Sequence, residues 1–338
     1  MTRVLILTTE YLPNIGGSEL AIANLTQRLP NVSFDIITSE FGGKWLLPLT
    51  GFFKGLKHRY DVIHVFQASY AGGAGVLLKL VRPRTPLIVS LQEGKDLSKQ
   101  SFFIKFFRSM ILRKADTITA ISNYLLTYAK QANPKAKSYL LPNGVEVKKF
   151  YNPTQPPLTL RGGAIVTVSR LVFKNGVDTL IRAMPLLPGY ELTIAGDGPQ
   201  AEALTTLARK LGVSDRVVFL GLVGQDALPG LLQRSSVFVR PSRSEGLGIA
   251  FLEAMAAGVP IIGTPVGGIP DFLKNRETGL FCEVENPESI AQAVRELDQQ
   301  PDLRASIIAN AQKSMRACYD WDILAQQYYE IISRHSGL

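Results

Sequence analysis

Residues Arg240 to Asp271 read RPSRSEGLGIAFLEAMAAGVPIIGTPVGGIPD. The run parses as a strand end, a Gly-broken loop, a helix, a second strand and a Gly-rich loop. Ile249 to Ala257 has helical composition and stops at Gly258-Val259-Pro260. Glu245 therefore falls in the loop and Glu253 on the helix, about one and a half turns in. Helical side chains lean toward the N-terminus, so Glu253 leans back toward that loop. Gly246 and Gly248 let a ligand approach the backbone on either side of Leu247. The amides of Gly248 and Ile249 open the helix and suit an anionic group. Arg240 and Arg243 lie just upstream. One site then offers amides to a phosphate and two carboxylates to hydroxyl groups, which are the functional groups of a sugar nucleotide.

Outward from this run the same alternation continues. Ala164–Ser169, Glu191–Ala195, Arg216–Leu220, Val237–Arg240, Pro260–Gly263 and Gly279–Glu283 read as strands, with helical stretches between them. The first half repeats the pattern. Val4–Thr8, Phe34–Thr38, Asp61–Phe66, Pro86–Leu91, Thr117–Ile121 and Ser138–Leu141 are strand-like, and Leu20–Leu29, Ala74–Val81, Phe102–Lys114 and Asn123–Gln131 are helical. Strands alternating with helices imply an α/β chain of parallel, doubly wound sheets, whose ligands bind at the carboxyl ends of strands. The expected division is a Rossmann-like domain over 1–155 and a second over 156–319, joined at the proline-rich KKFYNPTQPPLTL. The amphipathic end of the chain, 320–338, either closes the second domain or packs back on the first.

The chain has 338 residues, enough for two cores, and a net charge of +9. Such a charge calls for a nucleotide, a polyanion or an anionic membrane, or is simply a solvated basic surface. No basic-aromatic nucleic-acid motif is present, so nucleic acid is not an expected partner. Cys282 and Cys318 are far apart and do not cluster with His58, His64 or His335, so no protein-held metal is expected. No apolar run reaches spanning length. A cytoplasmic protein follows, free or lying on the inner membrane face. Ser101–Lys114, SFFIKFFRSMILRK, interleaves Phe102, Phe103, Phe106, Phe107, Ile111 and Leu112 with Lys105, Arg108, Arg113 and Lys114. It reads either as a basic amphipathic helix on an anionic membrane or as a sheet-packed helix with basic ends.

Two doubly wound domains make a cleft, into which Arg170 and Lys174, after the strand AIVTVS, can bring positive charge for a diphosphate leaving group. Taken singly the pair is equally two surface charges. The segments SRLVFKNGVDTLIRAM, LTIAGDGP, VVFLGLV, the Arg240–Asp271 run and TGLF resemble, in order and spacing, the family-4 glycosyltransferases of the GT-B fold. Glu245 and Glu253 match that family's Glu-x7-Glu motif, and Gly16-Gly17-Ser18-Glu19 resembles its early Gly-Gly-x-Glu loop. The resemblance implies a cofactor-free, metal-independent, retaining transfer of a hexosyl group from a UDP-, GDP- or ADP-sugar to a hydroxyl acceptor. That acceptor would be a glycan, a lipid-linked molecule or a small molecule of cell-envelope or glycolipid synthesis. Carried over, Glu253 would hold ribose hydroxyls, Glu245 would face the donor sugar, and Arg170 with a following Lys would hold the diphosphate. Amides at Gly16, Gly17, Gly248 and Ile249 would add to that clamp, with Leu247 beside them. Backbone at Leu222-Val223 would read the base. Glu19, Glu93 and Asp96 would stand on the acceptor side.

Two departures stand out. The family's usual His near the donor sugar is replaced by Gln92, which still donates from its amide. The usual Lys position holds Asn175, and Lys174 is expected to take the role from one place earlier. These departures motivate a rival reading, a nucleotide-sugar-binding partner subunit of little or no activity.

Overall fold

The structure, a computed structural model, describes residues 1–9, 11, 16–39, 43–93, 100–151 and 163–336. The chain forms two compact units. One comprises Met1–Gly144 with Trp321–Leu338, the other Val145–Asp320.

In chain order the first unit runs β1 Thr2–Leu7, α1 Gly17–Gln27, β2 Val32–Ile37, α2 Leu47–Leu56, β3 Val62–Phe66, α3 Tyr70–Val81, β4 Leu87–Leu91, α4 Phe102–Lys114, β5 Thr117–Ala120, α5 Asn123–Ala132 and β6 Lys137–Leu140. The strands make a parallel sheet in the order β2-β1-β3-β4-β5-β6. Val4, Leu5, Ile6 and Leu7 are all fully buried. A run without alternation is what a strand covered on both faces requires.

The second unit runs α6 Val147–Phe150, β7 Ala164–Val168, α7 Val177–Ala183, β8 Glu191–Ala195, α8 Ala201–Lys210, β9 Val217–Gly221, α9 Leu228–Gln233, β10 Val237–Arg240, α10 Ile249–Ala256, β11 Ile261–Gly263, α11 Ile269–Phe272, β12 Leu280–Phe281, α12 Pro287–Gln299 and α13 Pro301–Ser314. Its parallel sheet has the order β12-β11-β10-β7-β8-β9. Read from β9, that is the doubly wound order with its reversal between β7 and β10. Ile165, Ile194, Val239, Ile262 and Ile290 meet in its core.

The last helix, α14 Trp321–Ser336, returns to the first unit. Trp321, Leu324, Tyr328, Ile331 and Ile332 recur at helical spacing and pack with Val4, Ile6, Ile22 and Leu25. Every strand expected from the alternation is present, and the α/β class holds.

One helix lies outside the sequence reading, and one expectation is corrected. The stretch LPLTGFFKGL, to which that reading assigns no element, forms the helix α2. A Cβ on Gly51 would come 3.0 Å from Ala74 Cβ, and one on Gly55 would come 2.7 Å from Leu78 Cδ1. These glycines let α2 lie close on α3, and packing outweighs their poor propensity. In α4 the apolar residues do not share one face. Ile111 and Leu112 enter the core, and Arg108 is buried with them, whereas Phe102, Phe103 and Phe106 are 74%, 81% and 61% exposed.

Candidate functional site

Reversal of strand order opens a crevice beyond the carboxyl ends of the two strands at the switch point. In the second unit these are β7 and β10. The loop after β7 carries Arg170 and a short turn, Phe173–Asn175, holding Lys174. The loop after β10 carries Arg243, Glu245, Gly246 and Leu247, and reaches α10 through Gly248, which is left-handed at φ 97°.

Arg243 ties the two loops together. Its backbone N–H donates to Lys174 O at 2.7 Å, and Nη1 donates to Phe173 O at 2.7 Å. The guanidinium forks onto Asp178 at 2.8 Å and donates through Nε to Glu285 at 2.6 Å. Burial pushes the Asp178 carboxyl up, but the Arg243 hydrogen bonds outweigh it and hold the group below its ordinary range. Arg243 is thereby a pin between loops.

Arg240 closes β10 and is buried. Its Nη2 donates to Glu245 Oε2 at 2.5 Å, its Nη1 to Val168 O at 3.3 Å, and its guanidinium lies 4.7 Å from the Phe251 ring centre. Lys174 Nζ stands 3.7 Å from Glu245 Oε1, which also accepts from Gly246 N at 3.0 Å. The Gly-rich loop after β11 supports this residue from behind. Gly268 N donates to Glu245 O at 3.2 Å, and a Cβ on Gly267 would overlap that carbonyl.

Glu253, on α10, is 6% exposed. Burial pushes its carboxyl up to about 7, opposed by the Arg240 charge, a hydrogen bond from Gln225 and the Lys149 charge. Arg240 thus acts on both motif carboxylates. Of the other residues singled out from sequence, Leu247 is buried and Ile249 is the first residue of α10. Val223 follows the end of β9, next to Leu222, which is 82% exposed. Arg170 is exposed, and its carbonyl accepts from Asn175 Nδ2 at 2.6 Å. Asn175 therefore spends its amide holding the turn.

In the first unit the order reverses between β1 and β3. Gly16 caps α1, with Leu20 N donating to Gly16 O at 3.1 Å. Glu19 is buried in the first turn and accepts from Ser18 Oγ at 3.0 Å. Asn143 Nδ2 donates to Gln92 Oε1 at 3.1 Å and to Gly17 O at 3.4 Å, so three segments remote in sequence meet there. Gln67, just past β3, adopts φ 74°, a conformation rare outside glycine, and donates to Ser18 Oγ at 3.3 Å. Glu93 turns away toward α4. It is buried 3.4 Å from Arg108, and burial raises its carboxyl while Arg108 opposes the shift. Asp96 lies outside the described residues. Among the described residues no three His, Cys, Asp or Glu side chains gather to hold a metal.

Arg240, Asn143, Gln67 and Gln225 had no role from sequence alone. Arg240 carried a signal, a cation at a strand's carboxyl end five residues before a motif carboxylate. Asn143 sits in the turn Leu141-Pro142-Asn143-Gly144, which reads first as punctuation.

Known proteins match over the same regions. The model of the family described as Glycosyl transferases group 1 matches residues 160–314, and that of Glycosyltransferase Family 4 matches residues 41–149. A GDP-mannose-dependent alpha-(1-6)-phosphatidylinositol monomannoside mannosyltransferase of Mycobacterium tuberculosis is 32% identical over 98% of each chain. The N-acetyl-alpha-D-glucosaminyl L-malate synthase of Bacillus anthracis is 25% identical over 81% of this chain and 75% of its own. Among solved structures, Anabaena HepE in complex with UDP and glucose aligns with a TM-score of 0.84 at 18% identity, covering 99% of this chain and 100% of that one. Sucrose-phosphate synthase from Thermosynechococcus elongatus aligns at 0.83 with 19% identity, over 99% of each chain.

Proposed function

The chain belongs to the family-4 glycosyltransferases, and from that premise we propose that it is a retaining enzyme whose donor is a GDP- or UDP-hexose and whose acceptor is a lipid-borne hydroxyl. The observation that carries the reading is the buried Arg240, hydrogen-bonded to Glu245 and acting electrostatically on Glu253, with Lys174 3.7 Å from Glu245. Glu253 accepts from the ribose hydroxyls. Lys174 and the exposed Arg170 meet the diphosphate, joined by the amides at Gly248 and Ile249. Val223 backbone reads the base, beside Leu222. Gly16, Gly17 and Gln92 belong to the unit that takes the acceptor. The acceptor oxygen attacks the anomeric carbon on the face from which the phosphate departs. The bond from that carbon to phosphate oxygen breaks, and the acceptor proton passes to the leaving phosphate. Positive side chains and amides supply the charge neutralisation, so no metal enters the scheme.

A thermal-shift series with UDP-, GDP- and ADP-sugars tests the donor, because a bound donor stabilises by mass action. GDP-mannose with a phosphatidylinositol-type acceptor is the first pair to assay, after the mycobacterial relative. An α-linked product from an α-linked donor, read by NMR coupling constants, supports retention, and a β-linked product refutes it. Absence of nucleotide binding across the series overturns the whole reading.

Donor affinity should also depend on pH. Ribose hydroxyls need the ionised Glu253, whose carboxyl burial pushes up to about 7. Affinity should fall as pH drops through that value, approaching about tenfold per unit well below it. Glu253→Gln should bind weakly with a flat profile. A flat profile in the parent would separate Glu253 from the ribose.

For the lipid side, we propose that α2 and α4 rest on an anionic membrane at its cytoplasmic face. They flank Gly73 of α3, whose added Cβ would touch both Pro48 and Phe107. Their exposed side chains include Trp45 just before α2, Leu49, Phe53, Phe102, Phe103 and Phe106. Lys57, Arg59, Arg113 and Lys114 stand at their ends, so charge and apolar surface suit the same partner. Among the described residues no helix is long and apolar enough to cross a membrane. The parent protein should sediment with phosphatidylglycerol vesicles, and Phe106→Asp should partition about tenfold less. Equal recovery of both in the supernatant counts against this placement.

A further inference from the structure

At the opposite end of the first unit's sheet from Gly17 and Gln92, the amino ends of β4, β5 and β6 border a cavity of about 530 Å³. Separate segments send cations to it. Lys79 comes from the last turn of α3, Arg84 from the turn into β4, Arg113 from the last turn of α4, Lys135 from the turn into β6 and Lys137 from the first position of β6. His335 of α14 completes the wall.

A single carboxylate, Asp116, is in the lining, and it is already engaged. Its Oδ2 accepts from Lys79 Nζ at 2.7 Å and from Leu87 N at 2.7 Å. Lys79 is further held by the carbonyls of Pro83 and Thr85 at 2.8 and 3.1 Å. Asn133 donates to the carbonyls of Leu112 and Ala115, and so fixes the cavity floor. Among the described residues Arg84, Arg113, Lys135 and Lys137 form no ion pair.

Like charges spread over a convex face are ordinary solvated surface. Here they converge on a concavity, where the low-dielectric wall focuses their field on one volume. His335 registers that field. Its Nε2 is 2.8 Å from Thr117 Oγ1, and its ring is held below the ordinary range first by burial and then by Lys137, with Lys79 adding and Asp116 opposing. Arg guanidinium forks and Lys ammonium groups together match the several acceptor oxygens of a phosphate group.

We propose that this cavity binds a phosphate-bearing anion, at a site separate from the residues assigned to the donor. The anion is either a free phosphorylated molecule or the headgroup of an anionic lipid. The lipid source has a geometric basis. Phe103, Phe106, Met110 and Arg113 follow one another at helical spacing along α4, so an exposed apolar stripe leads to the cavity rim.

The test follows the His335 ring resonances of the full chain by NMR, assigned with His335→Gln, during titration with inorganic pyrophosphate and with phosphatidate vesicles. The Lys135→Glu, Lys137→Glu variant leaves Lys174 and Arg170 intact, so it separates a response of this cavity from diphosphate bound by those two residues. An anion in the cavity stabilises the imidazolium and moves the His335 titration upward. Saturable movement with pyrophosphate assigns a free ligand, and movement with phosphatidate but not phosphatidylcholine vesicles assigns a lipid headgroup; both uphold the site. The double variant Lys135→Glu, Lys137→Glu changes exposed side chains and should keep the parent melting temperature while weakening the response at least about tenfold. No saturable movement with either probe, or an undiminished response in the double variant, overturns the proposal.

Discussion

Glu245→Ala should lower the transfer rate by about a hundred- to a thousandfold while changing nucleotide affinity little, a loss of the size seen when one preorganised polar group is removed from a transition state. The split follows from position. Glu245 stands in the loop ahead of α10, pinned by Arg240 at 2.5 Å and approached by Lys174 at 3.7 Å, whereas the carboxylate assigned to the ribose is Glu253. Steady-state kinetics with calorimetry separates the two effects. A Glu245→Ala enzyme that turns over at the parent rate removes Glu245 from the reaction. Arg240→Ala provides the companion measurement. It removes the cation that lowers the Glu253 carboxyl against its burial, so the Glu253 titration should move above about 7, and the pH at which donor affinity falls should rise with it. A purely structural arginine would lower stability without moving that profile.

The loop and helix that carry Glu245 and Glu253 were legible because their geometry is local. The Gly-broken approach to α10, the stop at Gly258-Val259-Pro260 and the seven-residue interval between Glu245 and Glu253 are all set within one strand-helix-strand unit, where propensity and spacing act directly. The parallel, doubly wound character of both sheets was legible for a related reason, since β/α alternation admits few topologies, whereas the strand order itself comes from the structure. What escaped depends on contacts between distant segments. Gln92, Asn143 and Gly17 meet only once β4, β6 and α1 are assembled. Gly51 and Gly55 look like helix breakers until α3 is placed against them. Arg108 looks like one more cation in a basic helix, yet the fold turns it inward to Glu93 while it leaves Phe102, Phe103 and Phe106 outside. Periodicity shows that a helix has faces. Which face is buried depends on what packs there.

Tyr328→Ala should cost the first unit about 3–5 kcal/mol, the largest stability loss expected from a single truncation here. Tyr328 is fully buried on α14 and packs near Phe34 and His64. Its hydroxyl lies 2.7 Å from His64 Nδ1; His64 Nε2 lies 2.7 Å from Ser90 Oγ, which in turn is 2.5 Å from Thr119 Oγ1. One polar chain therefore crosses α14, β3, β4 and β5 inside an apolar core, and removing an end leaves the next group unsatisfied as well as opening a cavity. Tyr328→Phe keeps the ring, so its cost should be only about 1–2 kcal/mol. Burial pushes His64 down to about 3, so the folded state holds it neutral while the unfolded chain binds a proton below its ordinary 6.5. The unfolded state then carries more protons between those values. The His64 contribution is complete above 6.5 and is lost progressively as pH falls toward 3. Urea midpoints at pH near 7 and near 5 should therefore separate for the parent and separate less for His64→Leu, which has no titratable side chain. A midpoint for Tyr328→Ala equal to that of the parent would mean that α14 does not dock through this residue, because no relaxation of a close-packed core refills the space of a tyrosine without cost.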